Sequence, residues 1–216
     1  MNVPTISIAL CTYNGSKYIK TQIESLINQT LKPSEIVICD DNSSDNTLEI
    51  IRSINAPFPI RIYENKPALR TVKNFERAVS LCTGDVIMLC DQDDFWVPTK
   101  LEVMGKYMLE HPKTNVLFSN ALLVDENLNS LGKKMWETVN LDETELQRWR
   151  NGHSTEILMA GSRVTGCTMC FRRSIVSEII PFPTQIDNDF IHDGWIAMYA
   201  SVTNSIDYIN EDLIWY

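Results

Sequence analysis

Four short apolar runs in the first half of the chain alternate with segments of helical periodicity. The runs span residues 5–11, 35–40, 60–63 and 86–90, and they are rich in Ile and Val. They do not alternate with polar residues, which is typical of strands buried on both faces of a parallel sheet. The resulting βαβαβαβ order predicts an α/β fold in which crossover helices cover a mostly parallel sheet.

Three helices are predicted between these runs. Their core-facing positions are Ile19, Ile23, Leu26 and Ile27, then Leu48, Ile51 and Ile54, and finally Leu69, Val72, Phe75 and Val79. Asn46 and Glu49 predict a capping box at the start of the second helix. Gly84 predicts the end of the third helix before the fourth strand.

The regular alternation is lost after residue 94. The pattern there predicts helices over 98–110, 142–150 and 173–180, an apolar stretch over 116–124 and a strand over 167–171. Segments 129–140 and 181–192 are predicted to be loops, and long loops in compact domains are often functional. No Gly/Ser linker interrupts the chain, so we expect one domain over residues 1–216.

The composition restricts the class of protein. A net charge of −9 argues against sequence-independent nucleic-acid binding, which depends on Lys and Arg. No apolar run approaches the ~20 residues that cross a bilayer, and the N-terminus lacks a signal-peptide pattern, so we expect a cytoplasmic protein. The six cysteines are expected to be reduced there. Cys167 and Cys170 lack the further ligands that a zinc site needs.

Polar residues follow three of the four predicted strands. Thr12, Tyr13 and Asn14 follow the first strand, residues 40–45 follow the second and residues 91–94 follow the fourth. In an open parallel sheet, ligands bind beyond the carboxyl ends of the strands. The three clusters are therefore expected to line one cleft.

The cluster after the second strand begins with two adjacent carboxylates. Residues 42–45 fit a turn that caps the following helix. Asp40 and Asp41 fit such a turn less well, because adjacent charges at a strand end need hydrogen-bond donors. The imide N–H of a nucleotide base and the hydroxyls of a ribose are such donors.

The cluster after the fourth strand contains Asp91, Asp93 and Asp94. Three carboxylates within four residues are costly to keep ionised unless a cation neutralises them. Mg²⁺ or Mn²⁺, which bind carboxylate and phosphate oxygens, fit this pattern better than a solvated acidic turn does. Trp96, which follows, either packs in the core or stacks on a sugar.

Five segments of the chain resemble one known family in order and spacing. They are SIALCTYN (7–14), DDNSSD (40–45), GDVIMLCDQDDFW (84–96), GCTMCFR (166–172) and HDGW (192–195). The family is the inverting glycosyltransferases of family 2, which have the GT-A fold. The form DQDDFW looks closest to bacterial members that transfer rhamnose or similar sugars during surface-polysaccharide assembly.

The resemblance implies a Rossmann-like nucleotide-binding half, residues 1–95, continuous with a smaller acceptor-binding half, residues 96–216. It implies that Tyr13 and Asp41 bind the nucleotide base and that the segment 91–94 is the DxD metal motif, with Asp93 as the first choice of ligand. The remaining expected contacts to the nucleotide sugar are Thr12, Asn14, Arg70, Lys73, Asp91 and Trp96. A solvated helix face is the competing interpretation for Arg70 and Lys73.

In the acceptor half, the resemblance maps the catalytic base onto Asp193, which from the sequence alone could equally cap the helix over 194–201. His192 and Trp195 are expected at the acceptor, and Trp96, Trp136 and Trp195 as walls for sugar rings. Relatives usually continue past a Tyr such as Tyr216 with a basic lid segment. We therefore expect a truncated chain or a different lid.

The expected sugar donor is a dTDP- or UDP-sugar, and the expected acceptor is a saccharide or a lipid-linked saccharide at the inner face of the plasma membrane. Three other classes of protein remain open at this point. A haloacid-dehalogenase-type phosphatase would use Asp91 as nucleophile, but its motif normally follows the first strand. A receiver-like domain would end well before residue 216. A nucleotidyltransferase would need a Gly-rich phosphate loop after the first strand.

Overall fold

A computed structural model describes residues 3–184 and 191–216. Its strands are β1 (Ile6–Thr12), β2 (Glu35–Asp40), β3 (Ile60–Glu64), β4 (Val86–Cys90), β5 (Phe95–Trp96), β6 (Val116–Val124), β7 (Ser130–Lys134), β8 (Met169–Arg172) and β9 (Ile206–Trp215). Its helices are α1 (Ile19–Ile27), α2 (Thr47–Ser53), α3 (Arg70–Leu81), α4 (Lys100–Glu110), α5 (Met135–Thr138), α6 (Glu143–Arg150), α7 (Ser154–Met159), α8 (Val176–Ile179) and α9 (His192–Val202).

The described strands form one sheet in the order β3-β2-β1-β4-β8-β6-β9-β5, with β7 paired to β6. Strands β1 to β4 are parallel. β8 is antiparallel to both β4 and β6, and β9 is parallel to β6, so β6 and β9 also run in the direction of β1 to β4. The predicted α/β fold with a mostly parallel sheet is confirmed, and the sheet continues from the first half of the chain into the second.

Burial accounts for the lack of alternation in β1, β2 and β4, whereas the edge strand β3, also predicted to be buried on both faces, is only half-buried. Every residue of β1, β2 and β4 is buried, because helices cover this part of the sheet. The helix α3 packs on it through Phe75, Ala78 and Val79, which are buried as its helical spacing predicts. In the part of the chain that the structure describes, no helix has the length and apolarity that a bilayer crossing requires.

Two residues predicted to mark helix boundaries have different roles in the structure. Asn46 makes no side-chain capping bond to α2; instead Asp45 Oδ1 accepts a hydrogen bond from the Thr47 N–H at 3.1 Å. Gly84 does not end α3, which stops at Leu81. A Cβ at Gly84 would lie 2.8 Å from the backbone nitrogen of Ser7. Glycine is needed there because β1 and the start of β4 approach closely.

The second half departs from the sequence prediction in several places. Segment 129–140 is not a loop, since it contains β7 and α5. The predicted strand over 167–171 begins with a 3₁₀ turn, Gly166–Thr168, and the predicted helix over 173–180 is a 3₁₀ turn followed by α8. Part of the predicted loop over 181–192, residues 185–190, lies outside the described residues. β9 has no counterpart in the prediction.

Candidate functional site

A cleft of about 620 Å³ lies beyond the carboxyl ends of β1, β2 and β4. Six of the residues predicted for the site line it: Thr12, Tyr13, Asp41, Arg70, Asp91 and Asp93. The clusters after β1, β2 and β4 therefore meet in one cleft, as their position at the ends of parallel strands predicts. A second cleft of about 570 Å³ shares Asp91 and Asp93 with the first and is flanked by Tyr18 and Tyr216.

Asp41 is anchored by donors from the protein itself. Its Oδ1 accepts hydrogen bonds from Asn65 Nδ2 at 2.8 Å and from the Leu69 N–H at 2.6 Å. Its Oδ2 accepts from the Arg70 N–H at 2.8 Å, which holds Arg70 in the left-handed region at φ 64°. Since each carboxylate oxygen can accept two bonds, one acceptor position remains on Oδ2.

Asp40 is fully buried and is also satisfied internally. Thr12 Oγ1 and Ser43 Oγ donate to its Oδ2 at 2.8 and 2.6 Å, and the Ser43 N–H donates to its Oδ1 at 2.9 Å. Asp40 therefore does not need the donors of a nucleoside, whereas Asp41 keeps one acceptor position for such a donor. Of these two carboxylates, Asp41 lines the cleft and Asp40 does not.

Asn14 fixes the chain between two strand-end loops. It adopts φ 47°, a conformation that asparagine tolerates better than most residues. Its backbone N–H donates to Ser43 Oγ at 2.9 Å, and its Oδ1 accepts from the Ser44 N–H at 2.8 Å. Asn14 thus joins the loop after β1 to the loop after β2, and it is not among the residues that line the first cleft.

Asp91 and Asp94 are brought together with Cys167. One carboxylate oxygen from each and the Cys167 Sγ lie within 4.8 Å of one another. Burial raises the pKa of Asp91 to about 8, and repulsion from Asp94 adds to the shift. Burial, with repulsion from Asp93, raises the pKa of Asp94 to about 7. The two carboxyl groups therefore tend to hold protons unless a cation neutralises them.

These atoms fit a divalent cation. Asp94 is buried, and its Oδ2 has no hydrogen-bond partner, which is a costly state that a metal ion would relieve. Two carboxylates suit Mg²⁺ or Mn²⁺, and the nearby thiol is tolerated better by Mn²⁺. Asp93, the first choice from the sequence, is exposed and lies outside this close group. Cys167 was not predicted as a member.

Lys100 is a buried cation beside this group that the prediction missed. It has no exposed surface, its Nζ donates to the Cys167 carbonyl at 2.7 Å, and burial lowers its pKa to about 8. The Nζ also lies 4.1 Å from the centroid of the Trp96 ring. Trp96 is itself fully buried, so the expectation that it contacts the nucleotide sugar is corrected: it packs in the core.

Asp193 lies in the first turn of α9 and does not cap it, since the N-cap residue is Ile191. The Gly166 N–H donates to its Oδ2 at 3.0 Å. Its charge is one of those that raise the pKa of Asp91, which places the two carboxylates within electrostatic reach. Asp193 is therefore held at the aspartate cluster by the turn that precedes β8.

Several residues expected at the acceptor or the phosphates occupy structural positions. His192 is buried and stacks on Phe75, a wall of the cleft, with ring centroids 4.3 Å apart. Burial lowers the pKa of His192, which favours the neutral ring. Trp195 Nε1 donates to the Ile179 carbonyl at 2.8 Å and so joins α9 to α8. His192 is corrected from an acceptor contact to a buried support of the cleft wall, whereas Trp195 is partly exposed and stays an expected acceptor contact.

Two further expectations are corrected. Trp136 is buried in an aromatic cluster with Phe118 and Tyr208, and it is not among the residues that line the first cleft. Lys73 forms an ion pair with Glu76, with 2.8 Å between Nζ and Oε2, and it is not among the residues that line the cleft. Arg70 is therefore the basic residue of the predicted set that reaches the cleft.

Comparison with known proteins identifies the family. The family model for glycosyl transferase family 2 matches residues 7–180. An uncharacterized protein of Mycobacterium tuberculosis is 30% identical over 205 residues, which cover 89% of this chain and 56% of that protein. The chain thus spans a little over half of the length of this relative.

Two solved structures share the fold. The crystal structure of Staphylococcus aureus TarS in complex with UDP gives a TM-score of 0.74 at 21% identity and covers 98% of this chain and 60% of that one. The mannosyltransferase PcManGT from Pyrobaculum calidifontis, in complex with GDP-Man and Mn²⁺, gives 0.67 at 16% identity and covers 98% and 56%. The fold is GT-A, and the family match decides against the phosphatase, receiver and nucleotidyltransferase alternatives. The chain belongs to glycosyl transferase family 2.

Proposed function

We propose that the chain transfers a sugar, with rhamnose as the first candidate, from a dTDP- or UDP-sugar to a hydroxyl of a saccharide or lipid-linked saccharide, with inversion. The reaction would serve bacterial surface-polysaccharide synthesis at the inner face of the plasma membrane. The observation that carries the proposal is the first cleft, in which Tyr13 and Asp41 meet Asp91. Asp91 forms a close group with Asp94, which lines the adjoining second cleft.

The first cleft suits a pyrimidine base. Tyr13 is 57% exposed, so its ring is free to pack against a base. The one acceptor position left on Asp41 Oδ2 matches the single imide N–H of uracil or thymine. The UDP complex of TarS supports a nucleoside diphosphate of this kind.

The diphosphate is proposed to lie between Arg70 and the aspartate pair. The backbone of Arg70 is fixed by Asp41, and its guanidinium suits bidentate contact with phosphate oxygens. Asp91 and Asp94 would hold a divalent cation, which would supply positive charge against the departing diphosphate. The Mn²⁺ complex of PcManGT is consistent with such an ion.

Asp193 is proposed to act as the general base. The acceptor oxygen forms a bond to the anomeric carbon while the bond to the diphosphate breaks on the opposite face, and the hydroxyl proton passes to Asp193. Such proton transfer contributes typically ~10²–10⁴-fold to the rate. The hydrogen bond from the Gly166 N–H fixes the orientation of the Asp193 carboxylate.

The second cleft supports the proposal for the sugar rings. Tyr18 and Tyr216 flank it, and both are at least one-third exposed, so their rings offer apolar faces for sugars. The cleft shares Asp91 and Asp93 with the first one. A sugar attached to a diphosphate at these aspartates would therefore have space beside them.

The proposal is tested by calorimetric titration of UDP, dTDP, GDP and ADP, each with Mn²⁺ and with EDTA. We expect UDP or dTDP to bind best, and only with the metal present. Absence of binding for all four nucleotides in Mn²⁺ would sink the proposed donor class. A preference for GDP would overturn the assignment of Asp41 to a pyrimidine imide.

A further inference from the structure

We infer that Gln92 is a positioning residue that fixes the loop after β1, residues 13–18, to the aspartate loop, residues 91–94. Its Oε1 accepts a hydrogen bond from the Tyr13 N–H at 2.8 Å, and its Nε2 donates to the Tyr13 carbonyl at 3.1 Å. The Gln92 side chain thus binds both the backbone N–H and the backbone carbonyl of Tyr13. An amide is the side chain that can donate and accept in this way.

Gly15 makes room for this side chain. A Cβ at Gly15 would lie 2.2 Å from Gln92 Oε1 and 2.6 Å from its Cδ, which is closer than atoms can approach. The φ of Gly15 lies outside the left-handed region, so its backbone conformation does not itself demand glycine. The Gln92 amide and the absent side chain of Gly15 therefore form one fitted contact.

The other side of the β1 loop is bound to the loop after β2. The Gly15 N–H donates to Thr47 Oγ1 at 2.8 Å, and the Ser16 N–H donates to Asp45 Oδ2 at 3.1 Å. Within residues 3–184 and 191–216, Gln92 makes the hydrogen bonds that join the β1 loop directly to the aspartate loop. Without Gln92, the β1 loop would be hydrogen-bonded only to the loop after β2. Its distance to the aspartate loop would then no longer be fixed by a hydrogen bond.

The effect of this contact on ligand binding rests on the proposed function, in which one sugar donor contacts both the β1 loop and the aspartate loop. Tyr13 would hold the base and Asp91 the diphosphate, so the donor binds tightly only when the two loops keep the spacing of its ribose linker. Fixing that spacing before binding lowers the cost of ordering the complex. Gln92 lines the first cleft, but both polar atoms of its amide are bound to Tyr13, so it would act on the sugar donor through the positions of its neighbours.

The test compares the joined ligand with its parts in Gln92→Ala and in the matched surface variant Gln147→Ala. Affinities are measured for uridine or thymidine, for pyrophosphate with Mg²⁺, and for the nucleoside diphosphate with Mg²⁺. Loss of two ordinary hydrogen bonds predicts about tenfold weaker binding of the diphosphate in Gln92→Ala. Binding of the two fragments should stay within about twofold of wild type, as should all three ligands in Gln147→Ala.

Fragment affinities that fall as much as that of the joined ligand would show local damage to each subsite and would overturn the inference. An unchanged diphosphate affinity would overturn it as well. If wild type bound none of the three ligands, the proposed function would fail first, so the two failures are distinguishable. Unfolding temperatures measured on each variant identify any that are not folded, and Gln92→Glu, which keeps only the acceptor for the Tyr13 N–H, then replaces Gln92→Ala.

Gly15→Ala provides a second and independent way to break the contact, because the added methyl displaces the Gln92 amide. We expect this variant to lose about tenfold in diphosphate affinity, as Gln92→Ala does. In the double variant the Gln92 side chain is already truncated, so the methyl has space and the loss should not exceed that of either single change. Losses that multiply would mean that the residues act separately, which contradicts the inference.

Discussion

Asp193 Oδ2 accepts a hydrogen bond from the backbone N–H of Gly166 at 3.0 Å, which links the start of α9 to the turn before β8. The family motif HDGW therefore meets the motif GCTMCFR through one defined contact. Because the backbone N–H is the donor, an asparagine oxygen at position 193 can accept the same bond, while the bond that Oδ1 accepts from the neighbouring Gly194 N–H at 2.7 Å is lost.

Asp193→Asn should therefore keep the geometry of the site while losing the base. We expect nucleotide binding within about twofold of wild type and a rate of sugar transfer that falls by ~10²–10⁴-fold. Transfer is measured as release of the nucleoside diphosphate in the presence of acceptor. Glu211→Gln, on an exposed carboxylate of β9, is the matched control and should leave both quantities unchanged. Equal losses of binding and transfer in Asp193→Asn would contradict the assignment.

Binding of Mn²⁺ should weaken as the pH falls. Burial and repulsion from Asp94 raise the pKa of Asp91 to about 8, and burial and repulsion from Asp93 raise the pKa of Asp94 to about 7. Both carboxyl groups therefore hold protons in the metal-free protein below pH 7. A metal ion must displace these protons, and each one released costs up to about tenfold in affinity per pH unit.

Calorimetric titration of Mn²⁺ at pH 6, 7 and 8 measures this dependence. Asp94→Asn should bind Mn²⁺ more weakly at pH 8 and show a shallower slope, because one of the two protons is gone. A wild-type affinity that is constant from pH 6 to 8 would count against a metal at this pair.

Asp94 should also make the metal-free protein less stable at high pH. A carboxyl group whose pKa is raised in the folded state stabilises the fold fully below its unfolded value of about 4. That contribution is lost as the pH rises through about 7. Asp94→Asn should therefore reduce the fall in the free energy of unfolding between pH 5 and pH 8 by on the order of 2 kcal/mol.

Urea unfolding in EDTA at the two pH values tests this difference between variant and wild type. Lys100 has the opposite sign, because its folded pKa of about 8 is lowered and its contribution rises with pH above that value. The comparison between pH 5 and pH 8 largely excludes the contribution of Lys100, because that contribution changes mainly above pH 8. Parallel pH profiles for Asp94→Asn and wild type would show that the pKa of Asp94 is not raised.

The sequence predicted what depends on local pattern. The buried strands of the first half are marked by Ile and Val without alternation, and helix α3 by the spacing of Phe75 and Val79. The position of Asp41, Asp91 and Asp94 at the two clefts could be predicted because ligands bind beyond the carboxyl ends of the strands in an open parallel sheet. The family motifs added Asp193, whose contact with Gly166 joins residues 27 positions apart.

The features that were missed depend on tertiary contacts. Lys100 looks like the solvated first residue of a helix, although its spacing to Met104 and Met108 puts it on the buried face of α4. β9 carries no clear pattern because its register against β6 shifts on either side of Asn120. In the sequence, Gln92 resembles an ordinary turn residue. Its role was missed because its two hydrogen bonds join it to Tyr13, which lies 79 positions away in the sequence. Trp96 was ambiguous until its burial was known.

Gly84→Ala should destabilise the parallel sheet at the point where β4 begins. The added methyl would lie 2.8 Å from the backbone nitrogen of Ser7 and 2.9 Å from the Thr5 carbonyl, and neither backbone atom can move without disturbing β1. Overpacking of this kind costs typically about 1–3 kcal/mol in the free energy of unfolding.

Gly166→Ala is the matched control for stability, because its methyl would meet Asp193 Cβ and His192 Nε2 at 3.5 Å, which is ordinary contact distance. Urea unfolding of both variants at pH 7 should show a large loss for Gly84→Ala and a change of about 0.5 kcal/mol or less for Gly166→Ala. If the two losses were equal, the close approach of β1 and β4 would not be what requires glycine at position 84. A loss confined to Gly84→Ala would tie that glycine to Ser7, whose hydroxyl accepts a hydrogen bond from the Gly84 N–H at 2.8 Å and so holds the two strands at this short distance.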